Sequence, residues 1–286
     1  MSEFQQLLAE HGSDELCYWA AENGRLDLLQ WARENKCPWD EWTCMIAANN
    51  GHLHVLQWAK ENGCPWNEST CACAALNGHL HTLKWAKENG CPSDEYMCSF
   101  ASFNGHLHIL KWARENRYPW GSQTCARAAE NGHLHVLKWA RENGCPWDAS
   151  TCSYAAGSNQ FNTLKWAREN GCPWDASTCA NAVFSGHFHI LKWARKNGCP
   201  WDETACDCAG YRCHLHILQW ALENGCKLSK NLRIGFRNLH FTAAVKLLTR
   251  DVFMNTSIVE KWTSEINLVL NDMTYNDLSN LIKSFI

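Results

Sequence analysis

The sequence predicts an all-α fold, a solenoid of stacked helical repeats, on three observations. Trp-Ala pairs beginning at Trp31, Trp58, Trp85, Trp112, Trp139, Trp166, Trp193 and Trp220 recur every 27 residues without an insertion, and self-similarity at a fixed period marks a repeat architecture. Each repeat carries two sets of helix start and stop signals. The pattern decays at both ends, as it must where one face of a terminal repeat meets water.

The elements follow in order. Residues 1–12 are a capping segment, in which Phe4–His11 predicts an isolated outer helix. Residues 13–228 hold eight repeats, and residues 40–66 show how one is built. Asp40 is a good N-cap and Glu41 suits the first helical turn. Gly51, after Asn50, can adopt the left-handed conformation that ends a helix. A second helix starts near Leu53 and stops at Asn62-Gly63, and Pro65 prevents its continuation. At about 100° per residue, Cys44, Ala47 and Ala48 share one face of the first helix, small enough for close packing. Val55, Trp58 and Ala59 share the core face of the second, with His54, Gln57, Lys60 and Glu61 opposite. Residues 229–286 complete the chain as a degenerate repeat and a helical cap. Phe241–Leu248 echoes a second helix, and Thr256–Met273 and Tyr275–Ile286 read as two more.

Two tryptophan ladders are expected along the stack. One is the Trp58 column, and the other is the Pro-Trp column of Trp39, Trp66, Trp120, Trp147, Trp174 and Trp201. A buried tryptophan removes about 150–250 Å² from water, an upper limit of about 4–6 kcal/mol each. The indoles are therefore expected to dominate the core. Three sites break the pattern: Ser93 in the loop tryptophan column, Gly157–Asn162 in place of the usual Asn-Gly-His-Leu-His, and Cys213 in the turn glycine column.

Composition narrows the function classes. The 286 residues are 46% hydrophobic and carry a net charge of −3, with Lys and Arg spread evenly. No basic stripe points to nucleic acid, no apolar run is long enough to span a membrane, and the first residues do not read as a signal peptide. A cytoplasmic monomer is the expectation. Most of the eighteen cysteines fall in two repeat columns, from Cys17 and Cys44 to Cys206 and from Cys37 to Cys226. Same-column residues of adjacent repeats lie one helix spacing apart, roughly 8–10 Å, beyond the ~7 Å limit for a disulfide. Buried, reduced thiols are expected.

Residues 128–144, Ala-Ala-Glu-Asn-Gly-His-Leu-His-Val-Leu-Lys-Trp-Ala-Arg-Glu-Asn-Gly, resemble the ankyrin repeat. The resemblance covers roughly residues 13–228 and weakly continues to 250. The variant with Trp-Ala and Cys-Pro-Trp is similar to short arrays abundant in giant DNA viruses and some protists. The usual ankyrin unit has about 33 residues, so the 27-residue unit lacks the hairpin finger. The resemblance therefore implies a protein-binding array that works through its concave inner-helix surface. For a viral chain the partner would be a host protein and the site of action the host cytoplasm.

The residues point to the same surface. Positions 42, 46 and 49 of the first helix project opposite the core face and are the least repetitive in the array. Trp42, Ile46, Tyr96, Phe100, Phe103, Arg127, Glu130, Tyr154, Phe184 and Tyr211 are the candidate partner-binding residues, and Trp19 and Glu22 begin the series. Aromatics with an arginine have the composition of binding hot spots. The competing reading is that these side chains pack on one another or on the C-terminal segment.

No catalytic residue is expected. The chain has no phosphate-binding loop, nucleophile elbow or His-Glu-x-x-His. His52 and its column read as neutral, hydrogen-bonded residues near the turn. The His54 column reads as outer-face. The two lie about 200° apart on a helical wheel, unsuited to chelation. No cofactor or metal is therefore expected. The alternatives are a self-assembling structural protein or a Cys/His metal-binding repeat protein.

Overall fold

The computed structural model describes residues 3–227 and Ser229, except Glu95 and Cys213. The expected C-terminal cap and the turn at Cys213 lie outside the described residues. All regular structure among the described residues is helical. The described residues fall into two compact units, divided after Trp174 at a repeat boundary.

In the first unit, α1 (Glu3–His11) precedes six helix pairs. They are α2 (Leu16–Glu22) with α3 (Leu26–Glu34), α4 (Glu41–Asn49) with α5 (Leu53–Glu61), and α6 (Glu68–Leu76) with α7 (Leu80–Glu88). Then follow α8 (Tyr96–Phe103) with α9 (Leu107–Glu115), α10 (Ser122–Glu130) with α11 (Leu134–Glu142), and α12 (Ala149–Gly157) with α13 (Phe161–Glu169). Each first helix packs on its own second helix and on the first helices of neighbouring repeats, so the series α2, α4, α6, α8, α10, α12 forms the spine of a repeat solenoid. The second unit shows the same arrangement in α14 (Ala176–Phe184) with α15 (Phe188–Lys196) and α16 (Glu203–Tyr211) with α17 (Leu215–Glu223).

The expected caps are present. Asp40, Asn67, Asp148, Asp175 and Asp202 each accept a hydrogen bond from the backbone amide two residues on, at 2.9–3.0 Å. Such a cap stabilises its helix by about 1 kcal/mol. At the other end of the second helix, Asn62 and its column donate to the carbonyl of the tryptophan four residues earlier, at 2.8 Å for Asn62 and Trp58.

The two glycines of each repeat answer to different constraints. Gly78 turns left-handed at φ +80°, and a Cβ there would lie 2.8 Å from the His106 ring of the next repeat. Gly90, in the loop, has φ +82° with nothing within 4 Å of a Cβ. The loop column therefore asks only for conformation, and Lys36 and Arg117 occupy it at φ 63° and 60°. In the turn column Asn159 takes φ 62°. Gln160, next in the chain, approaches Gly132 as the histidines approach their glycines. The irregular stretch 157–162 thus substitutes for the usual turn part by part.

The core differs from the expectation in what fills it. Cys44, Ala47, Ala48, Val55, Leu56 and Ala59 are fully buried, as are their counterparts in most repeats. The tryptophans of both ladders are only half-buried. First helices separated by alanine and cysteine come too close to admit an indole, so the rings seal the seam from its edge. There they stack across repeats. Trp39 meets Trp58 edge-on with centroids 5.8 Å apart, and Trp66–Trp85, Trp120–Trp139, Trp147–Trp166 and Trp201–Trp220 repeat the contact. A cation covers the other side of each loop indole: Arg33 over Trp39 at 4.2 Å, Lys60 over Trp66 at 4.3 Å, Arg141 over Trp147 at 4.1 Å. Such pairs contribute roughly 0.5–1 kcal/mol at exposed sites. Arg33, Arg141 and Arg168, the last 4.1 Å from the Trp174 ring, also donate to the carbonyls of Cys37, Cys145 and Cys172, tying the loop to its helix.

The cysteines also have neighbours that same-column spacing does not reveal. The loop thiol of a repeat reaches back to its own first helix. Cys64 donates to the Asp40 carbonyl at 3.2 Å, Cys91 to Asn67 at 3.4 Å, Cys145 to Gly121 at 3.4 Å, and Cys226 to Asp202 at 3.2 Å. There it meets the thiol twenty residues earlier within hydrogen-bond reach, in the pairs Cys44–Cys64, Cys71–Cys91, Cys125–Cys145, Cys152–Cys172, Cys179–Cys199 and Cys206–Cys226. Cys73 and Cys208 are partly exposed; the other described cysteines are buried.

Candidate functional site

The first-helix N-caps fix the rotation of each helix, and the small face of Cys44, Ala47 and Ala48 fixes which side is buried. Positions 42, 46 and 49 must then project away from the core. The large hydrophobic side chains that stand exposed among the described residues are Trp42, Tyr96, Phe100, Phe184 and Tyr211. All five fall in those three columns. Trp42 is 56% exposed and Tyr211 67%, values that ordinary packing of an aromatic does not leave.

The remaining candidates are half-buried, and they explain one another. Arg127 stands between two rings, 5.9 Å from the centroid of Phe103 and 5.5 Å from that of Tyr154. Its Nη1 donates to Glu130 Oε2 at 2.6 Å. Phe103, Arg127, Glu130 and Tyr154 are thus in contact through Arg127. Ile46 is also half-buried. Beside this group the rings of Tyr96 and Phe100 lie tilted to each other with centroids 6.4 Å apart, and both side chains are exposed. In α2, Trp19 is covered by His11 of α1, 5.1 Å away, so the capping helix closes that end of the series.

In the second unit the guanidinium of Arg212 lies 4.5 Å over the Phe184 ring, and its Nε donates to the Phe184 carbonyl at 3.3 Å. Sequence reasoning passed over Arg212. The signal was present, because its column carries asparagine in five of the other repeats, and Asn104 and Asn131 there donate to the carbonyls of Leu76 and Phe103 at 2.8 and 2.7 Å.

The histidines act as fasteners. His52 Nε2 bonds the Glu22 carbonyl at 3.0 Å, and His106 and His133 bond Leu76 and Phe103 in the same way, each reaching the preceding repeat. Facing a carbonyl, Nε2 must be the protonated nitrogen. Burial lowers the His106 and His133 pKa values below 6.5. The outer column is anchored too: His54 and His108 bond the Gly24 and Gly78 carbonyls at 3.1 Å. His52 precedes its helix, so the helical-wheel angle does not separate the two rings, which come within 6.2 Å. Their Nε2 atoms nonetheless serve different carbonyls. Among the described residues no group of three or more His, Cys, Asp or Glu side chains is placed to hold a metal ion, and no helix is long and apolar enough to cross a membrane. A shallow recess lined by Arg33, Glu34, Trp39, Trp58 and Asn62 belongs to the cation–indole stack.

Comparison with known protein families finds no match, and no curated protein matches the chain.

Proposed function

We propose that the chain is a non-enzymatic binding module of the short, finger-less ankyrin type, which holds a protein partner on the variable face of its first helices. The observation that carries this reading is the coincidence of exposure with variability. The positions that differ most between repeats are the ones at which Trp42, Tyr96 and Phe100 stand open to solvent. Structural columns repeat because each serves the same junction, so a column that varies answers to something outside the array. Aromatic side chains give much contact area for few rotatable bonds, which suits them to anchor a partner.

Phe103, Arg127, Glu130 and Tyr154 supply a rigid floor beside the exposed rings. For a viral source the partner is a host protein. The test is affinity capture by the parent chain and by the triple variant Trp42→Ala, Tyr96→Ala, Phe100→Ala, with melting followed by circular dichroism. The reading expects the captured partner to be lost and the melting midpoint to move little. Unchanged capture, or a collapse of the fold, overturns it.

A further inference from the structure

We infer that each of six repeats carries an oxidisable dithiol, a site at which a hydroperoxide closes a disulfide between loop and first helix of the same repeat. The inference is independent of what the variable face binds. It starts from the six thiol pairs, in which both sulfurs are buried, within hydrogen-bond reach of each other, and twenty residues apart in sequence. The usual obstacle to a disulfide is bringing two Cβ atoms to the needed separation. Here the loop sulfur already lies against the start of its own first helix, 3.2 Å from the Asp40 carbonyl for Cys64 and 3.4 Å from the Asn67 carbonyl for Cys91, with the partner thiol within hydrogen-bond reach.

The surroundings divide the roles. Cys91, Cys145 and Cys172 are held below the usual thiol range, first by the S–H of the partner thiol and also by the cations Lys87, Arg141 and Arg168. Cys71 and Cys125 are pushed up by the neighbouring sulfur and by burial. Cys64 is instead pushed up by the Cys44 sulfur and by burial, so that pair lacks this division. Where the loop thiol is the lowered one, the loop sulfur ionises and attacks. It displaces hydroxide from the peroxide oxygen and becomes a sulfenic acid, and the hydroxide takes up the thiol proton as water. The first-helix thiol then attacks the sulfenic sulfur, the S–O bond breaks, and a second water leaves with the remaining proton. Two sulfurs lose one electron each and the peroxide oxygens gain two, so the sum is two thiols and one hydroperoxide to a disulfide and two waters, or water and an alcohol for an organic peroxide.

The molecule contains its own control. Tyr118 occupies the loop cysteine column, so Cys98 has no thiol twenty residues on.

The experiment treats the full chain, purified reduced, with dilute hydrogen peroxide until the reaction stops. Remaining thiols are alkylated in acid-quenched samples and peptides are mapped by mass spectrometry. The expected result is cross-links between residues i and i+20 in the six repeats, Cys98 recovered as the alkylated thiol, and a melting midpoint that rises on oxidation and returns with a thiol reductant. Ser93→Trp with Tyr118→Cys places a thiol opposite Cys98, and a seventh cross-link is expected from that variant once its circular dichroism matches the parent. Absence of i, i+20 cross-links in the parent overturns the inference. So do cross-links joining one column of adjacent repeats, or oxidation confined to Cys73 and Cys208.

Discussion

The phenol ring of Tyr118 lies 5.1 Å from the indole of Trp112, in the place that a loop tryptophan fills elsewhere. Ser93 leaves that place empty from one side, and Tyr118, twenty-five residues later, fills it from the other. Lys87, which by the pattern of its column would cover a tryptophan at 93, stands 5.4 Å over the Tyr118 ring instead. Two departures that look unrelated along the chain are one exchange in space.

The exchange predicts strong coupling in a double-mutant cycle. Tyr118→Cys alone removes a half-buried ring and should cost about 2–4 kcal/mol. Ser93→Trp alone crowds the seam and should cost about 1–3 kcal/mol. The double variant restores the repeat pattern, and contacting residues commonly couple by about 0.5–3 kcal/mol. Chemical denaturation of the four proteins measures the cycle, and costs that simply add would show that the two positions do not share a space.

The two glycine columns should respond differently to a methyl group. Gly90→Ala meets open space and carries only the left-handed penalty, about 1–2 kcal/mol. Gly78→Ala adds a clash with the His106 ring, which is tied to the Leu76 carbonyl and cannot swing away without losing that bond. A loss larger than that of Gly90→Ala by roughly 1–3 kcal/mol is expected. Equal losses from urea melts would remove the close approach as the reason for glycine there.

Stability should fall as the solution is acidified below neutrality. Burial lowers the pKa of His106 and His133 from 6.5, with His79, His108 and His133 around His106 and His135 beside His133 pressing the same way. Between the lowered folded value and 6.5 the unfolded chain binds more protons than the folded one, so the stabilisation present above 6.5 is lost as pH drops through that interval. Gln160 shows what can stand in this column without a titrating group. His106→Gln with His133→Gln should therefore keep the fold and flatten the dependence between about pH 7 and pH 5. An unaltered acid limb in the double variant would assign it to other groups.

Much of this was legible from residue order, for physical reasons. Helix limits followed from Asp40, Gly51 and Pro65 because caps and breakers act within one or two residues. The outward columns followed from the 3.6-residue period, and the exposed aromatics stand where it put them. What stayed hidden depends on contacts between columns. The spacing argument on the cysteines compared Cys44 with Cys71 and not with Cys64, its neighbour within the repeat. The burial of Trp58 was overstated because periodicity gives a direction and not the room available, and a seam lined by alanine has none for an indole. The partial burial of Phe103 and Tyr154 could not be read without knowing that Arg127 lies between them.

The fastenings between and within repeats span fixed intervals along the chain: 30 residues from His52 back to Glu22, 28 from Asn104 to Leu76, 24 from Cys64 to Asp40. Each interval straddles a stretch of the 27-residue period, so adding or deleting one residue inside a repeat throws several of them out of step at once. Adding or removing a whole repeat disturbs none. Such a molecule can change length only in full steps, and every step brings a fresh outward-facing triplet whose identity the rest of the structure leaves open.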